Sequence, residues 1–115
     1  MPGIKKSDRQ QSKPTQRNVE LARIKRTLRA HLPELREQYA VKSLGIFGSY
    51  VRGEQKKRSD LDVLVEFETA PTLLEFVHLK RQLSQTLGVE VDLVLKKTLK
   101  PNIGRYILAE VVAIG

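Results

Sequence analysis

Three aspartates interrupt segments that are otherwise built for burial. Asp60 and Asp62 flank Leu61 at the head of the run DLDVLVEF, and Asp92 stands inside VEVDLVL. Burying one carboxylate without a partner is unfavourable, and burying two side by side is more so. Side chains alternate along a strand, so Asp60 and Asp62 share one face while Leu61 and Val63 take the other. A strand-helix-strand pattern separates Asp62 from Asp92, and such a connection usually returns the second strand parallel to the first. Neighbouring strands lie ~4.8 Å apart, which brings Asp92 within reach of the same face. Three converging carboxylates repel one another and hold protons, unless a divalent cation turns them into ligands.

Magnesium prefers oxygen ligands and keeps several waters, so a few carboxylates suffice when phosphates complete the shell. Two such ions ~3.5–4 Å apart clamp the attacking and leaving oxygens of an in-line displacement at phosphorus. The upstream step Gly48-Ser49 fits that chemistry. Glycine lets the backbone approach a phosphate, while the serine hydroxyl and the amides of the next turn can donate to its oxygens. Arg52 follows on the same turn and can add a charged fork. Each element also has a plain reading when taken alone. Gly-Ser is an ordinary turn, Asp-x-Asp a solvated strand end, Asp92 a turn cap, and Arg52 a surface partner for Glu54. Lys56, Lys57 and Arg58 form a solvated loop or steer a triphosphate inward. It is the combination at fixed spacing that points to a site.

The elements that must position these residues follow from periodicity. Asn18 is a plausible N-cap, and Leu21, Ile24, Leu28, Leu32 and Leu35 recur at helical spacing, with Pro33 expected to kink or restart the helix. VKSLGIFGS reads as a strand ending at Gly48, and SYVRG as a single helical turn broken by Gly53. DLDVLVEFE is a second strand. Pro71 and Thr72 open a helix with Thr72 and Glu75 at capping-box spacing. Phe76, Leu79, Leu83 and Leu87 line its apolar face, and Gly88 closes it. VEVDLVL is a third strand, and a terminal helix restarting after Pro101 is expected to carry Ile107, Leu108, Val111 and Val112. This order predicts a two-layer α/β domain (α+β type) over residues 18–115, with helices packed on a short mixed sheet. Residues 1–17 carry five basic residues against Asp8 and only one large aliphatic residue, Ile4. They read as a disordered basic tail that could touch nucleic acid.

Composition narrows the functional classes. The 115 residues suit a single domain, and a net charge of +8 calls for an anionic partner such as a nucleotide, a nucleic acid or an acidic protein face. No cysteine is present, which excludes disulfides, thiolate nucleophiles and zinc-cysteine sites. His31 and His78 are too few and too scattered for a zinc triad. No run approaches the ~18 apolar residues of a membrane span, and the amino terminus lacks a secretory core, so a cytoplasmic location is expected.

Gly48-Ser49, ten residues, then Asp60-Leu61-Asp62, with Arg52-Gly53 and Ser59 between, resembles the signature of the polymerase-β-type nucleotidyltransferases. The spacing and small size are most similar to the minimal nucleotidyltransferases, the MNT proteins, over about Asn18 to Ile114 and including LKPNIGRYIL. The resemblance implies that Asp60 and Asp62 hold two Mg2+ ions, with Asp92 as a third metal-binding and catalytic carboxylate. It also implies that Gly48 and Ser49 grip the triphosphate of ATP, with Arg52 and Ser59 at the nucleotide site. The loop EQKKR is more basic than that pattern leads one to expect. Larger relatives carry an acceptor-binding domain for which this chain has no room, so a partner must bring the acceptor. Members of the minimal group are antitoxins of HEPN-type ribonuclease toxins and transfer AMP to a toxin tyrosine. Two other readings compete: an antitoxin that neutralises by binding alone, and a basic nucleic-acid-binding protein. The second lacks aromatic platforms, with aromatics at 5%.

Overall fold

The computed structural model describes residues 16–115, and side chains from Val19 onward. Residues 1–15 of the predicted basic tail lie outside the described residues, whereas Gln16 and Arg17, expected to be disordered, are helical. Helix α1 spans Gln16–Tyr39, strand β1 Val41–Phe47, the single turn α2 Ser49–Arg52 and strand β2 Leu61–Phe67. Helix α3 (Leu73–Leu87), strand β3 (Val91–Leu95), helix α4 (Pro101–Glu110) and strand β4 (Val112–Ala113) follow, with a 3-10 turn at Lys96–Thr98. The sheet order is β3-β2-β1-β4. Strands β2 and β3 run parallel, while β1 is antiparallel to both β2 and β4. The mixed sheet and the parallel return across α3 are as the sequence predicts.

One face of the sheet and two helices make the core. Ile24, Leu28, Leu32 and Leu35 of α1 and Leu79, Leu83 and Leu87 of α3 join Leu44, Ile46, Leu61, Val63, Val65, Val91 and Leu93 in one buried cluster. Burying each such side chain contributes on the order of 1.5–3 kcal/mol. Three polar contacts fix α1 against α3: the Tyr39 hydroxyl donates to Gln82 Oε1 at 2.8 Å, Arg23 Nη1 donates to the Leu87 carbonyl at 3.3 Å, and Gln82 Nε2 donates to Gln38 Oε1 at 3.4 Å. The predicted capping box is formed, with Glu75 N–H donating to Thr72 Oγ1 at 3.2 Å and Thr72 N–H to Glu75 Oε1 at 2.8 Å.

Three further expectations need correction. Helix α1 already includes Gln16 and Arg17, so Asn18 lies inside it and is not its cap. The same helix runs through Pro33 as one element, so it does not restart there. Pro33 and Arg29, whose carbonyl loses its donor, are both exposed, so water can take that carbonyl while buried Leu32 and Leu35 hold the turn on the core side. Helix α4 stops at Glu110, and Val112 lies in β4, not on the helix. β-Branched Val111 and Val112 favour extended backbone. The free edge of β1 rewards it, pairing Ile46 with Val112 and Gly45 with Ala113.

Candidate active site

The register of β2 decides where the aspartates meet. Asp62 lies opposite Phe47 of β1 on one side and Asp92 of β3 on the other. Residues directly opposite share a face. Since Leu61, Val63, Val91 and Leu93 fill the helix side, Asp62 and Asp92 project together from the other side. Asp60 precedes β2 and is exposed, as is Asp92, whereas Asp62 is partly buried. The Leu61 N–H donates to the Glu90 carbonyl at 2.8 Å, which ties the entrance of β2 to the entrance of β3.

This placement perturbs Asp62. Its carboxyl is pushed up to about 6, first by burial, then by the charges of Asp92 and Asp60, with Arg52 pulling the other way. Asp62 is therefore flanked by like charge and short of cationic compensation, which is the condition of a carboxylate set awaiting a cation. Among the described residues, no three His, Asp or Glu side chains are already drawn together closely enough to hold a metal ion. Asp62 and Asp92 adjoin, and Asp60 contributes its charge from the strand entrance, a looser convergence than the sequence predicts. Mutual repulsion opposes a tighter one. The donor set is all oxygen, suited to Mg2+ and not to a soft metal.

The Gly48-Ser49 turn abuts this cluster. Gly48 has φ 82° and ψ −153°, a conformation essentially restricted to glycine. Its α-carbon faces the Asp62 carboxylate so closely that a β-carbon there would collide with Oδ2. Val51 and Arg52 N–H groups donate to the Gly48 carbonyl at 3.1 and 3.2 Å, winding the single turn of α2. Tyr50, only 4% exposed, anchors that turn in the core. Ser49 lies at its start, partly exposed. Ser59 plays a local part: its hydroxyl accepts the Lys56 N–H at 2.8 Å and closes the basic loop.

Arg52 is already engaged. Its Nε donates to Glu54 Oε1 at 2.9 Å, and its Nη1 to both oxygens of Glu110 at 3.0 and 3.1 Å. Glu54 and then Glu110 hold its guanidinium more firmly charged than usual. Glu110 also accepts the Gly48 N–H at 2.7 Å. The sequence reading missed Glu110, since it lies 62 residues from Gly48 on another element. The only local signal was a lone acidic residue at the end of an apolar helical run.

Residues 28–114 match the family model of the nucleotidyltransferase domain. The chain belongs to the nucleotidyltransferase-domain family. Among relatives of this family, the protein adenylyltransferase MntA of Thermococcus cleftensis is 51% identical over 92 residues, covering 80% of this chain and 93% of that protein. A solved structure described as a minimal nucleotidyltransferase superposes with a TM-score of 0.68 at 37% identity, covering 80% of this chain and 93% of its own. A toxin–antitoxin structure containing AMP-PNP shares the nucleotidyltransferase fold, with a TM-score of 0.63, 20% identity and coverage of 76% and 72% of the two chains. A third, an MNT antitoxin in complex with the tri-AMPylated HEPN toxin of Shewanella oneidensis, has a TM-score of 0.55 at 18% identity and covers 86% and 71%. No helix among the described residues is long and apolar enough to cross a membrane.

Proposed function

We propose that this nucleotidyltransferase-family chain transfers AMP from ATP to a hydroxyl, most readily a tyrosine phenol, of a partner HEPN-type ribonuclease toxin, and so acts as its antitoxin. The observation that carries the reading is the pairing of Asp62 with Asp92 beside the glycine-only turn at Gly48. It places a compensation-poor carboxylate set next to a backbone suited to phosphate. The adenylyltransferase name of the 51%-identical MntA relative supports the reaction class. The HEPN-bound complexes of the more distant fold neighbours support the kind of partner.

Asp60 and Asp62, with Asp92, would hold Mg2+. When bound, the ions neutralise the phosphate oxygens and lower the barrier to displacement at phosphorus. Ser49 and the start of α2 orient the triphosphate through a hydroxyl and backbone amides. Asp92, exposed at the strand entrance, takes the phenol proton. The phenol oxygen forms a bond to the α-phosphorus, the bond from that phosphorus to the bridging oxygen breaks, and pyrophosphate leaves. Exposure of Asp60 and Asp92 leaves that side of the site open to a segment presented by another protein.

The test is incubation of the purified chain and its co-purified toxin with magnesium and ATP labelled at the α-phosphate. Label on a toxin tyrosine, with release of pyrophosphate, is expected. Asp60→Asn and Asp62→Asn should each reduce transfer by at least ~100-fold. A toxin that is inhibited yet carries no AMP would overturn the reaction and leave a binding antitoxin.

A further inference from the structure

We infer that Glu110 is a positioning residue that braces the Gly48-Ser49 turn and sets its distance from the metal carboxylates. The inference rests on the nucleotidyltransferase reading of the site and adds to it a residue from the far end of the chain. Three donor contacts converge on one partly exposed carboxylate: Gly48 N–H at 2.7 Å, and Arg52 Nη1 at 3.0 Å to one oxygen and 3.1 Å to the other. Charge-assisted bonds of this kind are about twice as strong as neutral ones, and here one nitrogen, Nη1, is shared between both oxygens.

The bonded groups lie at the two ends of a single helical turn. Gly48 precedes α2 and Arg52 ends it, so one carboxylate spans Ser49, Tyr50 and Val51 between them. Four residues cannot hold a helical turn in place unaided. Tyr50 anchors it to the core from below, and Glu110 ties it laterally to α4. Glu110 is itself fixed on both sides, by α4 before it and by the pairing of Val112 with Ile46 after it. The contact of the Gly48 α-carbon with Asp62 then makes the brace consequential. A turn sliding by a fraction of an ångström would press on the buried carboxylate or draw Ser49 away from it. Glu110 thereby couples the phosphate-facing turn to the metal-facing strand. It also directs Arg52 away from a free role as a phosphate fork. Its Nη1 and Nε are committed to Glu110 and Glu54, and its charge still reaches Asp62.

A competing view makes Glu110 an internal anion that occupies the phosphate grip and must be expelled. The two views differ in sign. The full-length chain should be titrated with a non-hydrolysable ATP analogue plus Mg2+ by calorimetry, and separately with Mn2+ alone by electron paramagnetic resonance. For the brace, Glu110→Ala should weaken analogue binding by about 10-fold and leave Mn2+ affinity within about 2-fold. Glu110→Gln, which keeps an acceptor for Gly48, should recover a good part of the loss. Circular dichroism melting would confirm that both variants are folded, and if Glu110→Ala unfolds, the Gln variant carries the comparison. Analogue binding by Glu110→Ala equal to or tighter than wild type would overturn the brace alone. A wild-type chain that binds no nucleotide would overturn the brace together with the reading on which it rests.

Discussion

Asp62 is the residue at which stability and function oppose each other. Its carboxyl is raised to about 6 from an ordinary value near 3.8, chiefly by burial. A raised acid pKa means that the fold disfavours the ionised form. The stability associated with Asp62 is full below about pH 3.8 and is lost as pH rises through about 6. At neutral pH the metal-free chain therefore carries a penalty that Asp62→Asn removes. A gain of about 1–2 kcal/mol is expected after discounting for partial solvent screening. Chemical denaturation in chelator at pH 7 should show it, and the difference should vanish near pH 3.5. A variant no more stable than wild type at pH 7 would place Asp62 in a better-solvated setting. The metal binding proposed for Asp62 needs the ionised form, so affinity for Mg2+ is expected to fall as pH drops below about 6. The sequence displayed this residue clearly, because a carboxylate between Leu61 and Val63 is conspicuous. It could not display Glu110, whose contacts arise only when α4 returns past β1.

The elements divide along the same line. Those fixed by local chemistry were legible: the stripes of α1 and α3, the glycine that closes α3, and the Thr72–Glu75 capping box. Those decided by a distant partner were not. Val111 and Val112 carry the spacing of a helix, yet the unpaired edge of β1 draws Val112 into a strand. Pro33 carries the signature of a break, yet its solvent-side position spares the core face. The capping box offers a test of the local kind. Thr72→Ala should leave the Glu75 N–H without its acceptor and remove about 1 kcal/mol of stability. Because α3 delivers β3 to its register beside β2, a further shift is expected in the amide signals of Leu61 and Asp92. Nucleotide transfer at saturating ATP should be nearly unchanged, since Asp62 and Asp92 remain paired by the sheet. A loss of turnover well beyond the loss of folded protein would show that α3 does more than carry the strand.

At the scale of the whole molecule, charge acts before any contact is made. On the proposed function, the net charge of +8 faces a substrate, ATP, that is anionic even when complexed with magnesium. Three of those charges, Lys56, Lys57 and Arg58, sit exposed on the loop between α2 and β2, and that loop joins the phosphate-facing turn directly to Asp60. Ser59 holds the loop closed by accepting the Lys56 N–H, so the charges are kept near the site and not on a free arm. Their field extends roughly one Debye length, about 10 Å at 0.1 M salt and about 3 Å at 1 M. Replacing all three exposed residues by glutamine lowers the net charge from +8 to 8 − 3 = +5. The KM for ATP should then rise by about 3- to 10-fold at low salt, with kcat preserved, because encounter is weakened and the chemistry is not. The wild-type KM should climb with ionic strength and meet that of the triple variant near 0.5 M. Two curves that stay parallel across the salt range would mean that the loop touches the triphosphate directly, as a ligand and not as a source of field.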